Sequence, residues 1–346
     1  MITRDKLTEL LDAVTEENSL IGLGILHPPQ LDAARLRQVY QRWLEADNRT
    51  KLSYVEESLE ERTKPFESRP WAASAMVALF AGDWGNEEAE LPIPRPAENM
   101  PAGLISQYAL GIDYHKTGRN LMNSALEFVQ DEIGDLGKTE ICLDTSATPD
   151  TALAAAAGLG EIGFNHLLRT TANGSRVFVV TAFLSRKLPV AVSIAARQAV
   201  APACNECGKC IAQCPTGALD KNTGVKLALC RSYLTIEHRD AFNQHQAQLI
   251  GDILFGCDVC TAACPPAQSP RGVPVDLDWL LRATAGEVKR SIQGTALAYT
   301  GVTRLRRNAV AILARHYQAK GVAAELLNYA GHNSRSPVVQ DTLAGI

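Results

Sequence analysis

The chain is defined first by what it does not contain. Among its 346 residues there is no run of 18 apolar residues, so nothing is long enough to span a bilayer as a helix. Positive charge is not in excess: 34 Lys and Arg stand against 38 Asp and Glu, for a formal net charge of −4. No global nucleic-acid footprint is expected, and any such contact would need a local basic face. The first residues, Met-Ile-Thr-Arg-Asp-Lys-Leu, lack the order of a secretory signal. A reducing, cytoplasmic compartment follows as the expectation, and it argues against disulfides.

What the chain does have is cysteine, concentrated in one segment. Eight of its nine cysteines lie between Cys204 and Cys264. The first run is Cys204-x-x-Cys207-x-x-Cys210-x-x-x-Cys214-Pro215. The second is Cys257-x-x-Cys260-x-x-x-Cys264-Pro265, with Cys230 between the runs. A cubane cluster needs four thiolates converging on one small volume. A C-x₂-C-x₂-C run wraps three of them around one face, and in two-cluster ferredoxins the distal Cys-Pro of each run serves the other cluster. That logic assigns Cys204, Cys207, Cys210 and Cys264 to one [4Fe–4S] cluster. It assigns Cys257, Cys260, Cys214 and Cys230 to the second, because the second run lacks a third near-neighbour cysteine and Cys230 must stand in. Paired C-x-x-C knuckles also bind zinc, but zinc sites rarely carry three cysteines at this spacing followed by Cys-Pro. Cys142, in the apolar run Ile141-Cys142-Leu143, reads as a buried inert thiol.

The length exceeds that of a bare ferredoxin and suggests two or three domains. We expect a catalytic domain over 1–195, a double-cluster domain over 196–268 and a helical domain over 269–346, an α+β/α-β multidomain fold. Residues 1–60 read as helical, with Thr3 as a cap. Ala73–Phe80 reads as a buried strand, and Pro92, Pro94, Pro96 and Pro101 mark a loop. Tyr114–Gly134 is an amphipathic helix, Thr139–Leu143 and Arg176–Leu184 are strands, and Thr151–Ala157 is a small-residue helix. The alternation argues for an α/β domain. Pro270–Pro274 reads as a linker, followed by helices over Trp279–Ile292, Arg304–Tyr317, Val322–Ala330 and Pro337–Ala344. Arg304, Arg306, Arg307, Arg315 and Lys320 make a basic stretch without an acid, either a solvated helix face or a phosphate-binding one.

Clusters move electrons singly, so a partner that makes or breaks bonds should lie in residues 1–195. Asp144 follows a strand there, a favourable place for a site in an α/β domain; the alternative is a helix N-cap. Gly158-Leu-Gly160-Glu-Ile-Gly163 matches G-x-G-x-x-G in letters but follows a helix, so the dinucleotide reading fails on context. A glycine loop approaching a large planar cofactor fits better. Asp113-Tyr-His115-Lys-Thr-Gly118 matches the D-x-H-x-x-G pattern of some histidine–cobalt proteins, but here it opens a helix.

These residues together resemble the epoxyqueuosine reductases, cobalamin- and iron–sulfur-dependent enzymes of tRNA queuosine synthesis. The resemblance runs from about residue 50 to 320. It rests on Glu60-Glu-Arg62-Thr-Lys-Pro65, Tyr108-x-x-Gly111-x-Asp113-Tyr114-His115, Asp144-Thr-Ser, Ala157-Gly158-Leu159-Gly160 and Asn173-Gly174-Ser175. The cysteine pattern, Cys214-Pro-Thr-Gly-Ala218, Gly256-Cys257-Asp258-x-Cys260 and the more specific Cys230-x-Ser232-Tyr233-Leu234-Thr235-Ile236-Glu237 complete it. The resemblance implies reduction of the epoxide on the wobble base of a tRNA anticodon stem-loop to an alkene. It implies two [4Fe–4S] clusters feeding cobalamin from an external low-potential donor, Asp144 as proton donor, and a HEAT-like helical tail. It implies that Arg62, Ser106, Asp144, Asn165, Ser175, Ser232 and Asp258 line the cobalamin, and that no histidine ligates cobalt. A proton-donating carboxyl needs an apolar site that raises its pKa. The chain is expected to act as a monomer away from membranes.

The sequence departs from the family on the substrate side. Gln107, Leu110 and Ile112 replace common basic residues, Thr151 stands for an arginine or lysine, Phe164 for a lysine and Glu161 for an aromatic residue. The competing readings are therefore a paralogue that reduces or dehalogenates a small molecule, and a non-catalytic electron carrier.

Overall fold

The computed structural model describes residues 2–28, 31–44, 52–82, 91–194, 204–266 and 272–346. A five-stranded sheet forms the N-terminal half. Its strands run, edge to edge, Thr139–Cys142, Phe178–Leu184, Ser74–Phe80, Gly22–Leu26 and Ala191–Ile194. Every pairing is antiparallel. The fold is thus mixed α and β as expected, and this sheet is antiparallel throughout. The rule that sites gather at the C-terminal edge of parallel strands does not explain Asp144 here.

All seven residues of Ser74–Phe80 are buried. Met76, Ala78 and Phe80 pack with Leu7, Leu11, Met122 and Val129 of the helices Arg4–Glu17 and Tyr114–Ile133. Ala75, Val77 and Leu79 face the other way, onto Leu153 and Ala154 of the helix Asp150–Ala156. The period of two and the cover on both faces explain why this central strand reads as an unbroken apolar run. Gly22–Leu26 lies within the stretch expected to be helical; its two glycines and short apolar run form a buried strand instead.

A second sheet crosses the sequence. Ala102–Ile105 pairs in parallel with Ile253–Phe255 and antiparallel with Val273–Asp276. It joins segments from all three expected units and lies in a core that runs from Tyr40 to Val339. Pro274, read as linker, sits in one of these strands. The expected boundaries at 195/196 and 268/269 lie outside the described residues. Among the described residues no helix is long and apolar enough to cross a membrane.

The tail is helical, with two differences from expectation. Trp279–Ile292 is two helices, Leu277–Arg282 and Ala285–Ser291, separated where Thr284 and Glu287 form a capping box. The helix expected from Arg304 begins at Leu297 and kinks at Gly301, whose φ is 74°. The arginines of this helix do not present a phosphate-binding face. Arg304 donates to the carbonyls of Thr300 and Ile236, at 2.7 and 2.6 Å. Arg306 donates to those of Leu280 and Ala283, and Arg315 to that of Ile346. Arg307 is fully buried. It donates to the carbonyls of Leu234, His238 and Asp240 and lies 3.9 Å from the Phe242 ring centre. These guanidinium groups are engaged by carbonyls of the chain itself. Lys320 alone of the stretch is exposed.

Replacing Arg307 by Met retains volume but strands three carbonyls. An unpaired buried acceptor costs about 1–3 kcal/mol, and about 3 kcal/mol in total lowers the unfolding midpoint of a chain this size by roughly 5–10 °C. Calorimetry of the Arg307→Met chain beside the wild type measures it.

Candidate active site

Asp144 follows the edge strand Thr139–Cys142 and has a φ of 49°. It is not an N-cap: the next helix starts at Asp150, and Pro149 holds the cap position without a side-chain bond. The Asp144 amide donates to Asp150 Oδ2 at 2.8 Å, and Thr148 Oγ1 donates to Asp150 Oδ1 at 2.7 Å. On the other side, Tyr114 Oη donates to Asp144 Oδ2, and His115 Nε2 lies 3.4 Å from the same oxygen. His115 Nδ1 stands 2.7 Å from Asp113 Oδ1, and the Asp113 side chain also caps the helix by accepting from the His115 amide. Both ring nitrogens of His115 face carboxylates. Tyr114 stacks between Phe178, at 4.4 Å, and the His115 ring, at 4.2 Å.

These contacts set the protonation states. Burial acts to lower the His115 pKa, but the bonds and charges of Asp113 and Asp144 outweigh it and bring it up to about 9. The imidazole is a cation at neutral pH. Burial pushes the Asp144 carboxyl up, but bonds from His115 and Tyr114 and the charge of Arg62 take it below its ordinary value. This corrects the expectation of an apolar site that keeps Asp144 protonated. Protein surrounds Asp144, yet its side chain is 62% exposed because it opens onto a cavity. The hydrogen bonds decide the direction. Burial dominates at Asp150 and raises it to about 7.

The cavity has a volume of about 520 Å³ and is lined by Tyr54, Arg62, Tyr108, Asp144, Glu237 and Tyr299, among others. Tyr299 donates to Glu237 at 2.9 Å. Of the seven residues expected at cobalamin, only Arg62 and Asp144 line it. Ser106 and Asp258 bond to each other, and Asp258 Oδ2 also accepts from the Gln107 amide at 2.8 Å. Asn165 donates to Ser175 at 2.9 Å. These four side chains are buried. Ser232 is half-buried, two residues after Cys230 on the helix Arg231–Ile236. Gln107 Oε1 is buried without a partner in the same region. A buried polar wall with an unsatisfied acceptor suits a cofactor edged with amide groups, as cobalamin is. Sequence reading missed Tyr54, Tyr114, Asp150 and Tyr299 as site residues. Tyr114 was legible beside His115; the others carry no local motif.

The glycine loop packs against protein. A Cβ on Gly160 would lie 2.5 Å from the Arg169 carbonyl oxygen, and one on Gly163 would lie 2.8 Å from Asn165 Oδ1. The Phe164 amide donates to Cys204 Sγ at 3.4 Å, so the loop abuts the cysteine segment. The loop also edges a second cavity of about 730 Å³, lined by Thr151, Glu161 and Phe164, three of the residues that depart from the family pattern. Glu161 there pairs with Arg169.

The cysteines fall into a crosswise neighbourhood. Burial, then the charges of Cys204 and Cys264, push the Cys210 thiol up to about 11. Burial and then chiefly Cys230 raise Cys257 to about 11. Burial followed by Cys230, Cys257, Cys210 and Cys214 raises Cys260. The tail cysteine of each run therefore lies by the other run. Among the described residues no three His, Cys, Asp or Glu side chains are spaced to hold a single metal ion; a cubane spreads its ligands wider than one ion does. Cys142 is buried, and burial raises its thiol to about 11.

Residues 203–267 match the family model of a 4Fe-4S double cluster binding domain. The segment is a unit for two [4Fe–4S] clusters. The epoxyqueuosine reductase of Burkholderia pseudomallei is 28% identical over 336 residues, covering 88% of this chain and 80% of that protein. That of Pseudomonas aeruginosa is 33% identical over 228 residues, covering 65% of this chain and 60% of the relative. The chain is a relative of the epoxyqueuosine reductases. A crystal structure of epoxyqueuosine reductase with a tRNA-Tyr epoxyqueuosine-modified tRNA stem loop shares its fold. The TM-score is 0.80 at 23% identity, over 99% of this chain and 89% of that one.

The His115 pair makes stability depend on pH. Its folded pKa of about 9 lies above the ordinary histidine value. The contribution is complete below about pH 6.5 and is lost as pH rises through about 9. The thermal midpoint should fall over that window in the wild type, and His115→Gln should flatten the slope.

Proposed function

We propose that this chain reduces epoxyqueuosine to queuosine at the wobble position of tRNA, as an oxidoreductase. The observation that carries the reading is Asp144: a carboxylate at a cavity wall, held by Tyr114 and His115, in a relative of the epoxyqueuosine reductases that carries a double-cluster segment. Converting an epoxide to an alkene takes two electrons and two protons, and releases water. Bound cobalamin would supply a reduced cobalt centre able to engage the epoxide, fed singly by the clusters from an external low-potential donor. Arg62, Ser106, Asn165, Ser175, Ser232 and Asp258 would hold it with Asp144.

The chain's own residues manage the protons. At neutral pH the nearest proton reserve to Asp144 is the His115 imidazolium, whose Nε2 stands 3.4 Å from Oδ2. Tyr114 holds that oxygen toward the cavity. A proton given up through Asp144 is replaced from His115, and Asp113 keeps the imidazole oriented by its bond to Nδ1. The cluster ligands in this reading are Cys204, Cys207, Cys210 and Cys264 for one cube, and Cys257, Cys260, Cys214 and Cys230 for the other; their crosswise neighbourhood supports it. The helical tail serves as the HEAT-like domain, and the enzyme works as a cytoplasmic monomer.

One observation favours a second reading, in which the same cofactors reduce or dehalogenate a small molecule. The arginines that would face tRNA phosphates bond to carbonyls inside the protein.

The two readings separate by mass spectrometry of tRNA incubated anaerobically with the reduced enzyme. Conversion of epoxyqueuosine to queuosine is expected, and intact epoxyqueuosine with fully loaded enzyme would overturn the leading reading. Asp144→Ala should retain iron and cobalamin spectra and lose turnover by about 10²-fold or more. Cys230→Ser should halve the iron, from about eight to about four atoms per chain; unchanged iron would remove Cys230 from the ligand set.

A further inference from the structure

Asp144 adopts a left-handed backbone conformation that residues with a Cβ rarely take. Something must hold it there, and the chain that follows supplies it. Asp150 opens the next helix and turns its carboxylate back under the loop. One oxygen accepts from the Asp144 amide at 2.8 Å, the other from Thr148 Oγ1 at 2.7 Å. A single carboxylate thereby ties both ends of the turn 144–148 to the first residue of the helix Asp150–Ala156. That helix is fixed to the sheet through Leu153 and Ala154. The tie is rigid on the protein side and meets the backbone of the residue whose side chain faces the cavity.

We propose that Asp150 is a positioning residue, a latch that holds the Asp144 backbone so that Oδ2 stays at Tyr114 and His115. The inference rests on the reading of Asp144 as the proton-delivering group. Asp150 does not line the cavity, so it acts through Asp144 and not on substrate. A carboxylate fits the role best, because both of its oxygens accept and its bonds are charge-assisted. An asparagine can accept from the Asp144 amide with its oxygen and donate with its NH2 to the Thr148 hydroxyl, which also accepts, so it keeps both contacts only in a weaker, uncharged form.

The test uses the cluster- and cobalamin-loaded wild-type, Asp150→Asn and Thr148→Val chains. Hydrogen–deuterium exchange at the Asp144 amide is measured beside steady-state kinetics with epoxyqueuosine tRNA. For Asp150→Asn, exchange at Asp144 should rise about tenfold or more. Its kcat should fall about 10- to 100-fold, the scale of a displacement near 1 Å, with KM changed less than twofold. Thr148→Val, which leaves the carboxylate in place, should give smaller changes in the same direction; it also decides the matter if Asp150→Asn does not fold. Wild-type exchange at Asp144 in both variants would overturn the latch, as would unchanged kcat in an active enzyme. If the wild type leaves epoxyqueuosine untouched, the functional reading fails, and exchange at Asp144 alone decides the latch.

Discussion

The closeness of one helix to the central sheet governs the site. Gly118 lies on the helix Tyr114–Ile133 where a Cβ would fall 2.3 Å from Leu143 Cδ1 and 2.7 Å from Phe80 Cζ. No other residue permits that approach without displacing the helix from the sheet. Because it is permitted, the first turn of the helix reaches over the end of the strand Thr139–Cys142. Tyr114 then stacks on Phe178 of the neighbouring strand, and His115 comes within reach of Asp144. Asp113, by capping the helix, fixes the same turn from below. Helix capping, helix–sheet packing and the charge pair at the cavity are one construction, which is why Asp-Tyr-His and Gly118 fall within six residues of each other.

The charge state of the site follows from a contest that burial loses. Burial raises a carboxyl, and at Asp150 desolvation outweighs the bonds from Thr148 and the Asp144 amide and takes it up to about 7. Asp144, six residues earlier, goes the other way: Tyr114 donates to one of its oxygens, His115 faces the same oxygen, and the charges of His115 and Arg62 lower it further. Neighbouring carboxyls thus divide into one that opens to the cavity and one that is half-buried and bonds the backbone. Divergent environments for paired carboxyls are how one site accommodates two roles. In the proposed chemistry the proton would be stored on His115 and not on Asp144.

Much of this was legible in the sequence, and the reasons differ by feature. The cysteine spacing carried the cluster segment because ligand geometry leaves few spacings that work. Ser74–Phe80 was legible because a strand covered on both faces is apolar throughout. Thr284 and Glu287 spelled out a capping box that divides a helix read as continuous. What could not be read was direction. Antiparallel and parallel sheets use the same residues, so the topology around Asp144 stayed hidden. A row of arginines looks the same whether its guanidinium groups meet phosphates or carbonyls; the partners of Arg307 come from residues about 70 positions away. Asp150 was invisible for the same reason: its role depends on a backbone turn that no motif announces.

The inward arginines bear on what the cavity can receive. Its lining includes Glu57, Asp113, Asp144 and Glu237 against Arg62, Arg239 and the protonated His115. A mouth with more acids than cations gains nothing from counterion release, the term that ordinarily dominates nucleic-acid affinity. An RNA loop entering here would have to be held by its bases, and the exposed rings at the lining are Tyr54 and Tyr299, 41% and 49% accessible. Each has an arginine against its ring, Arg62 at 5.5 Å and Arg304 at 5.3 Å, which helps hold it in place. Rings held in this way offer stacking surface without phosphate contacts. Contacts of that kind add nothing to the salt dependence of binding, which would report only on phosphates met elsewhere on the chain.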